Sequence, residues 1–108
     1  MERDRVFIQH IRDAIAAIES HTAGVSHEQF SESRLIQDAV VREILIIGEA
    51  ANHLSPTFLE KYARIPWHAI VGMRNQLVHG YFQVDFEEVW KTVQEDIPVL
   101  GGELEQIS

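Results

Sequence analysis

The apolar residues of this chain recur at intervals of three and four almost from end to end, and nowhere do they alternate over a useful length. That spacing is the period of one face of an α-helix, whereas a half-buried strand needs a period of two. The chain is therefore limited to helices packed on helices. Phe7, Ile8, Ile11, Ala14, Ile15 and Ile18 make one stripe within residues 3–20, and Gly24 follows as a left-handed cap. Ser26 caps a short turn through Phe30. A long helix is expected from about Glu32 to Leu54, with Leu35, Ile36, Ala39, Val40, Ile44, Ile47, Ala50, Ala51 and Leu54 as its stripe. Val41, Leu45 and Ile46 lie off that stripe, so this helix is apolar nearly all round. Few elements are available in 108 residues to surround it, which points to a dimer interface.

Punctuation divides the remainder. Ser55-Pro56 is a cap followed by proline at the first helical position, and the short helix through Tyr62 follows. Pro66 opens a helix from Trp67 to about His79, ended by Gly80, with Ile70, Met73 and Leu77 inward and Val71 and Val78 as further candidates for that side. Asp85 caps a last helix from Phe86 to about Leu100, whose stripe is Phe86, Val89, Trp90, Val93, Ile97 and Leu100. Pro98 is expected to kink or end it, and Gly101-Gly102 to mark a fraying terminus. The expected fold is all-α: one domain over residues 1–108, an up-and-down bundle of four to five helices, homodimeric.

Composition narrows the function. With no cysteine there is neither a disulfide framework nor thiol chemistry. The charged start Met1-Glu2-Arg3-Asp4-Arg5 does not resemble a signal peptide, and the apolar runs are too short to span a membrane, so a cytoplasmic protein is expected. The net charge is −8, and residues 85–108 carry seven acids against one base. An acidic protein does not coat nucleic acid through a diffuse field, so any RNA contact must be local. The histidines do not have the spacing of a zinc site, and neither a metal nor a cofactor is expected.

One local site stands out in Met73-Arg74-Asn75-Gln76-Leu77-Val78-His79-Gly80-Tyr81. At 100° per residue, Asn75 and His79 share a face, and Arg74 lies about 140° from His79. Each side chain suits RNA cleavage. His79 is a general base for a ribose 2′-hydroxyl or an acid for the leaving oxygen. Arg74 grips phosphate, Asn75 orients the imidazole or hydrogen-bonds RNA, and Tyr81 stacks on a base or donates to phosphate. One imidazole does not readily serve as acid and base in one step, but a symmetric dimer supplies two. Alternatively, Arg74 pairs with Glu49 or Glu43 and His79 is a helix C-cap donor. Glu49 itself reads as a satisfied buried carboxylate or as a support for Arg74.

Ile65-Pro66-Trp67 and Ile70-Val71-Gly72-Met73-Arg74-Asn75-Gln76-Leu77-Val78-His79-Gly80-Tyr81-Phe82-Gln83-Val84-Asp85 resemble the signature of the HepT-like HEPN ribonucleases, and Ile46-Ile47-Gly48-Glu49-Ala50-Ala51 resembles that family's central helix. The resemblance implies a HEPN-like homodimer and a toxin of a toxin–antitoxin pair. Its metal-independent endoribonuclease cleft is lined by Arg74 and His79, with Asn75 in support. It further implies a minimal nucleotidyltransferase antitoxin, MntA-like, that transfers AMP onto Tyr81. A bulky anion two residues from His79 would block the cleft and repel RNA. No nucleotidyltransferase motif is present, so this chain would accept AMP rather than transfer it. Two other classes remain open: a non-catalytic helical module that binds a minimal nucleotidyltransferase, and a purely structural dimeric bundle.

Overall fold

Side-chain caps decide where most of the helices begin. The computed structural model describes residues 2–80 and 83–107. They form α1 (Glu2–Thr22), α2 (His27–Glu32), α3 (Arg34–Asn52), α4 (Pro56–Lys61), α5 (Trp67–His79), α6 (Phe86–Lys91), a π turn (Thr92–Asp96) and α7 (Ile97–Glu105). Ser26 and Gln29 close a reciprocal capping box: Gln29 N donates to Ser26 Oγ at 3.1 Å, and Ser26 N donates to Gln29 Oε1 at 2.8 Å. Ser33 and Ser55 accept from Ile36 N and Phe58 N, each at 3.1 Å. Each such cap contributes about 1 kcal/mol. Gly24 adopts the left-handed conformation expected of it, with φ of 71°.

α3 runs through the centre and packs on both α1 and α5, while α7 returns to α1 and α2 bridges α3 and α6. The expected stripes are largely the core: Ile8, Ile11, Ala14, Ile15 and Ile18 from α1 bury against Val40, Ile44, Ile47, Ala50 and Ala51 from α3. Each large aliphatic side chain contributes roughly 1.5–3 kcal/mol on burial.

The start of α3 departs from expectation. Ser33 ends α2 and caps α3, with extended backbone (φ −109°, ψ 100°) that turns the chain between them. Leu35 is 81% exposed rather than in the core. The face turned inward carries Gln37 and Val41 instead. Gln37 Nε2 donates to Phe30 O and Ser31 O at 3.0 and 3.1 Å, satisfying carbonyls at the end of α2. Docking α2 thus recruits a different face of α3 from the one its apolar spacing suggests.

The last helix also differs. It does not end near Leu100 but continues through Gly101 and Gly102 to Glu105. Before Pro98 the winding loosens: Ile97 N donates to Thr92 O, a five-residue step. A wider turn accommodates the ring that would clash in a regular α-helix. Beyond it, Leu100, Leu104 and Ile107 are buried. Arg12 of α1 completes the end: its Nη2 donates to Leu104 O at 2.9 Å and to Ile107 O at 2.7 Å. These contacts outweigh the cost of two helical glycines, about 1 kcal/mol each.

In the first turn of α1, buried Asp4 accepts from Ser55 N and Ser55 Oγ, each at 2.8 Å. Burial opposes its ionisation, but the Ser55 hydrogen bonds, with Arg3 nearby, hold its carboxyl below the usual range. Among the described residues no strand occurs, and no helix is long and apolar enough to cross a membrane.

Candidate active site

α5 starts from a fixed point. Trp67 is buried, its indole Nε1 donates to Tyr62 O at 3.1 Å, and its backbone N donates to Ile65 O at 2.8 Å. From there α5 crosses α3 at Gly48. A Cβ on Gly48 would lie 2.1 Å from Arg74 Cβ, 2.8 Å from Arg74 Cγ and 3.3 Å from Ile70 O. Only a hydrogen fits at that crossing. Gly48 therefore sets how closely α5 approaches and where the stem of Arg74 passes. Spacing within either helix does not pair positions 48 and 74, so sequence reasoning missed this role; the small residues Gly48, Ala50 and Ala51 were its only trace.

The head of Arg74 is held by neighbours on two helices. Its Nη2 lies 2.9 Å from Glu49 Oε2, and its Nη1 donates to Asn75 Oδ1 at 3.0 Å. Glu49 is the partner rather than Glu43, which is buried and pairs with Arg42 at 3.0 Å. Glu49 is not a buried carboxylate; its side chain is 49% exposed, and Oε1 lies 3.1 Å from His53 Nε2. His53 in turn stacks on Phe7, with centroids 4.9 Å apart and planes at 12°. An ion pair this exposed contributes at most about 1 kcal/mol, so a phosphate can take over the guanidinium cheaply. Arg74 lines a groove with Phe7, Leu45, Ile46, Glu49 and Val78. Leu45 and Ile46 are half-buried and Val78 is 46% exposed, which leaves apolar surface beside the cation.

His79 occupies the exposed last turn of α5. Gly80 ends the helix as expected, but with φ of −126°, a conformation open to any residue. A Cβ there would meet Gln76 O at 3.1 Å, a tight contact that a small shift relieves. Gln83 N then donates to Gly80 O at 2.8 Å, and Asp85 caps α6 by accepting from Glu87 N at 2.9 Å and Glu88 N at 3.4 Å. His79 lines a second groove with Met73, Leu77, Gln83, Asp85 and Glu88. Arg74 and His79 thus share α5 but line different concavities of one copy, as their angular separation of about 140° requires. Asn75 is exposed and bonded to Arg74 rather than to His79. Tyr81 lies outside the described residues.

Comparison with known proteins gives this arrangement a family. The family model described as "Ribonuclease HepT-like" matches residues 11–107. A "Probable ribonuclease HepT" of Thermococcus cleftensis is 40% identical over 94% of this chain and 92% of its own length. A "Putative RNase" of Caldanaerobacter subterraneus subsp. tengcongensis is 35% identical over 99% of this chain and 96% of its own. A "Gamma-glutamylcyclotransferase and putative RNase" of Methanocaldococcus jannaschii is 41% identical over 99% of this chain, which spans only 49% of that longer protein. No solved structure gives a significant match. With the family model covering nearly the whole helical domain that carries Arg74 and His79, this chain belongs to the HepT-like ribonucleases.

Proposed function

We propose that this chain is a metal-independent endoribonuclease toxin that cleaves RNA with Arg74 and His79 in a cleft shared by two copies. The observation that carries this reading is the partly exposed apolar surface of Leu45, Ile46 and Val78 beside Arg74, with His79 in a separate groove on another side of α5. A second copy laid against that surface covers it and brings further copies of both groups to the same region. The family and the ribonuclease names of its relatives support the reaction class.

The chemistry then divides between two imidazoles. One His79 takes the proton of a ribose 2′-hydroxyl, and that oxygen bonds to the neighbouring phosphorus. The bond from phosphorus to the 5′-oxygen breaks, and the second His79 donates its proton to the leaving oxygen. The products are a 2′,3′-cyclic phosphate end and a 5′-hydroxyl end. Arg74 exchanges Glu49 for the phosphate and stabilises the charge gathered on its oxygens. Asn75 keeps the guanidinium oriented.

The regulatory half of the proposal is a minimal nucleotidyltransferase antitoxin that transfers AMP to Tyr81, next to Gly80 at the end of α5. The added anion excludes an RNA phosphate from the neighbourhood of His79.

The test of the nuclease is cleavage of RNA by purified dimer with EDTA present. His79→Ala and Arg74→Ala proteins that keep their helicity and melting behaviour should be inactive; full activity in the His79→Ala dimer sinks the proposal. Mass spectrometry of the protein co-expressed with the adjacent antitoxin should find AMP on the peptide holding Tyr81. An unmodified Tyr81 in a neutralised complex removes that half and leaves occlusion as the mechanism.

A further inference from the structure

A concavity on the other side of α1 collects three cations that form no ion pair among the described residues. It is lined by Arg5, Gln9 and Arg12 from α1, by Lys61 and Tyr62 at the end of α4, and by Ile8, Phe58 and Ile107 as its apolar floor. Among the described residues, no acidic side chain lines it. This is unexpected in a chain with 17 acids against nine Lys and Arg. Among the described residues, Arg34, Arg42, Arg64 and Arg74 are in ion pairs with carboxylates. Arg5, Arg12 and Lys61 are in none, although acids outnumber bases almost two to one.

Each of the three is presented rather than spent. Arg12 is anchored through Nη2 on two carbonyls of the chain's last turn, which fixes the guanidinium while leaving its other N–H donors for a ligand. Lys61 Nζ stands 5.5 Å from the centroid of the Tyr62 ring, which holds the ammonium against the groove wall. Arg5 lies on the same face of α1 as Arg12, seven residues away, two helical turns or about 10 Å along the axis. A row of cations with that spread fits successive phosphates of an extended chain rather than one isolated anion.

From this row of cations we infer that the Arg5–Arg12–Lys61 groove binds the phosphodiester backbone of single-stranded RNA, outside the cleft that holds Arg74. The inference rests on the ribonuclease reading only for the identity of the polyanion. Phe7 and His10 line the Arg74 groove and lie about 180° around α1 from Arg5 and Arg12. A strand held in both grooves therefore passes over α1. The acidic surface elsewhere repels RNA, so this groove directs which way a strand leaves the cleft.

The test measures binding, so it stands whether or not the protein cleaves. Fluorescently labelled single-stranded oligouridylate is titrated into His79→Ala protein at several salt concentrations. Arg5→Gln with Lys61→Gln is expected to raise Kd by about tenfold and to reduce the salt slope by about 1.4, roughly 0.7 for each lost phosphate contact on a single strand. Arg3→Gln with Lys91→Gln removes the same charge from outside the groove and controls for net charge. All four side chains are exposed and outside any ion pair among the described residues, so both variants should fold. Equal Kd and equal slope in the two double variants overturn the inference. So does tighter binding of polyglutamate than of oligouridylate to the unsubstituted groove, which would make it a site for an acidic polypeptide.

Discussion

The middle and the end of α5 are held in opposite ways. At Arg74 the helix lies so close on α3 that a single methyl group on Gly48 has no room. At His79 the helix has emerged from the bundle, and its surroundings are built by a turn and the capped start of α6. The first position is fixed by close-packed backbone, the second by a few hydrogen bonds at an exposed helix end. On the proposed reaction, the cation that grips phosphate is thereby rigidly placed, while the imidazole that passes protons sits at an exposed helix end. The difference also teaches where damage should be structural and where it should be chemical.

His79→Ala should break the comparison from the chemical side. Activity is expected to fall by about 10²–10⁴-fold, the range for one acid–base group, while denaturant unfolding shifts by less than about 0.5 kcal/mol. A large loss of stability would mean that the end of α5 is packed after all. Gly48→Ala should do the reverse. The clash at Arg74 Cβ forces the helices apart, and a loss of about 3 kcal/mol or more is expected in urea unfolding. Adding Arg74→Gly removes the obstructing Cβ, so the double variant should regain stability without regaining activity. If the two substitutions merely add, the crossing is not the constraint.

The last two substitutions sharpen the contrast at lower energy. Asp85→Ala removes the cap that supports the His79 groove and should cost about 1 kcal/mol in thermal or chemical unfolding. Glu49→Gln should move stability by less than about 1 kcal/mol, because the pair it breaks is half exposed. Its signature belongs in RNA binding: freeing the guanidinium should strengthen phosphate capture. A loss of stability beyond that limit would show the ion pair to be structural.

Much of the fold was legible because its signals are local. Ser26, Ser55 with Pro56, and Asp85 cap helices through bonds to residues two or three positions away. The apolar periods of α1 and the end of α3 needed nothing beyond helical geometry. What was missed depends on contacts between separate elements rather than within one helix. Leu35 is exposed because Gln37 answers the carbonyls of α2. Gly101 and Gly102 stay helical because Arg12, more than ninety positions earlier, holds the carbonyls that follow. At the candidate site the residue types and their angular spread were readable, and so was Glu49 as one possible partner. The Gly48 crossing and the exposure of Glu49 were not.

The π turn at Thr92–Asp96 has a consequence for chain length. A turn of that kind holds one residue more than the α-helix around it, without rotating the halves on either side out of register. Were the same residues wound as uninterrupted α-helix, α7 would be turned by about 100° relative to α6. Leu100 and Leu104 would then leave α1, and Arg12 would lose the carbonyls it holds. The final helix thus carries a spare residue in its middle, and that is where a homologue one residue shorter can lose it while both ends of the helix stay seated.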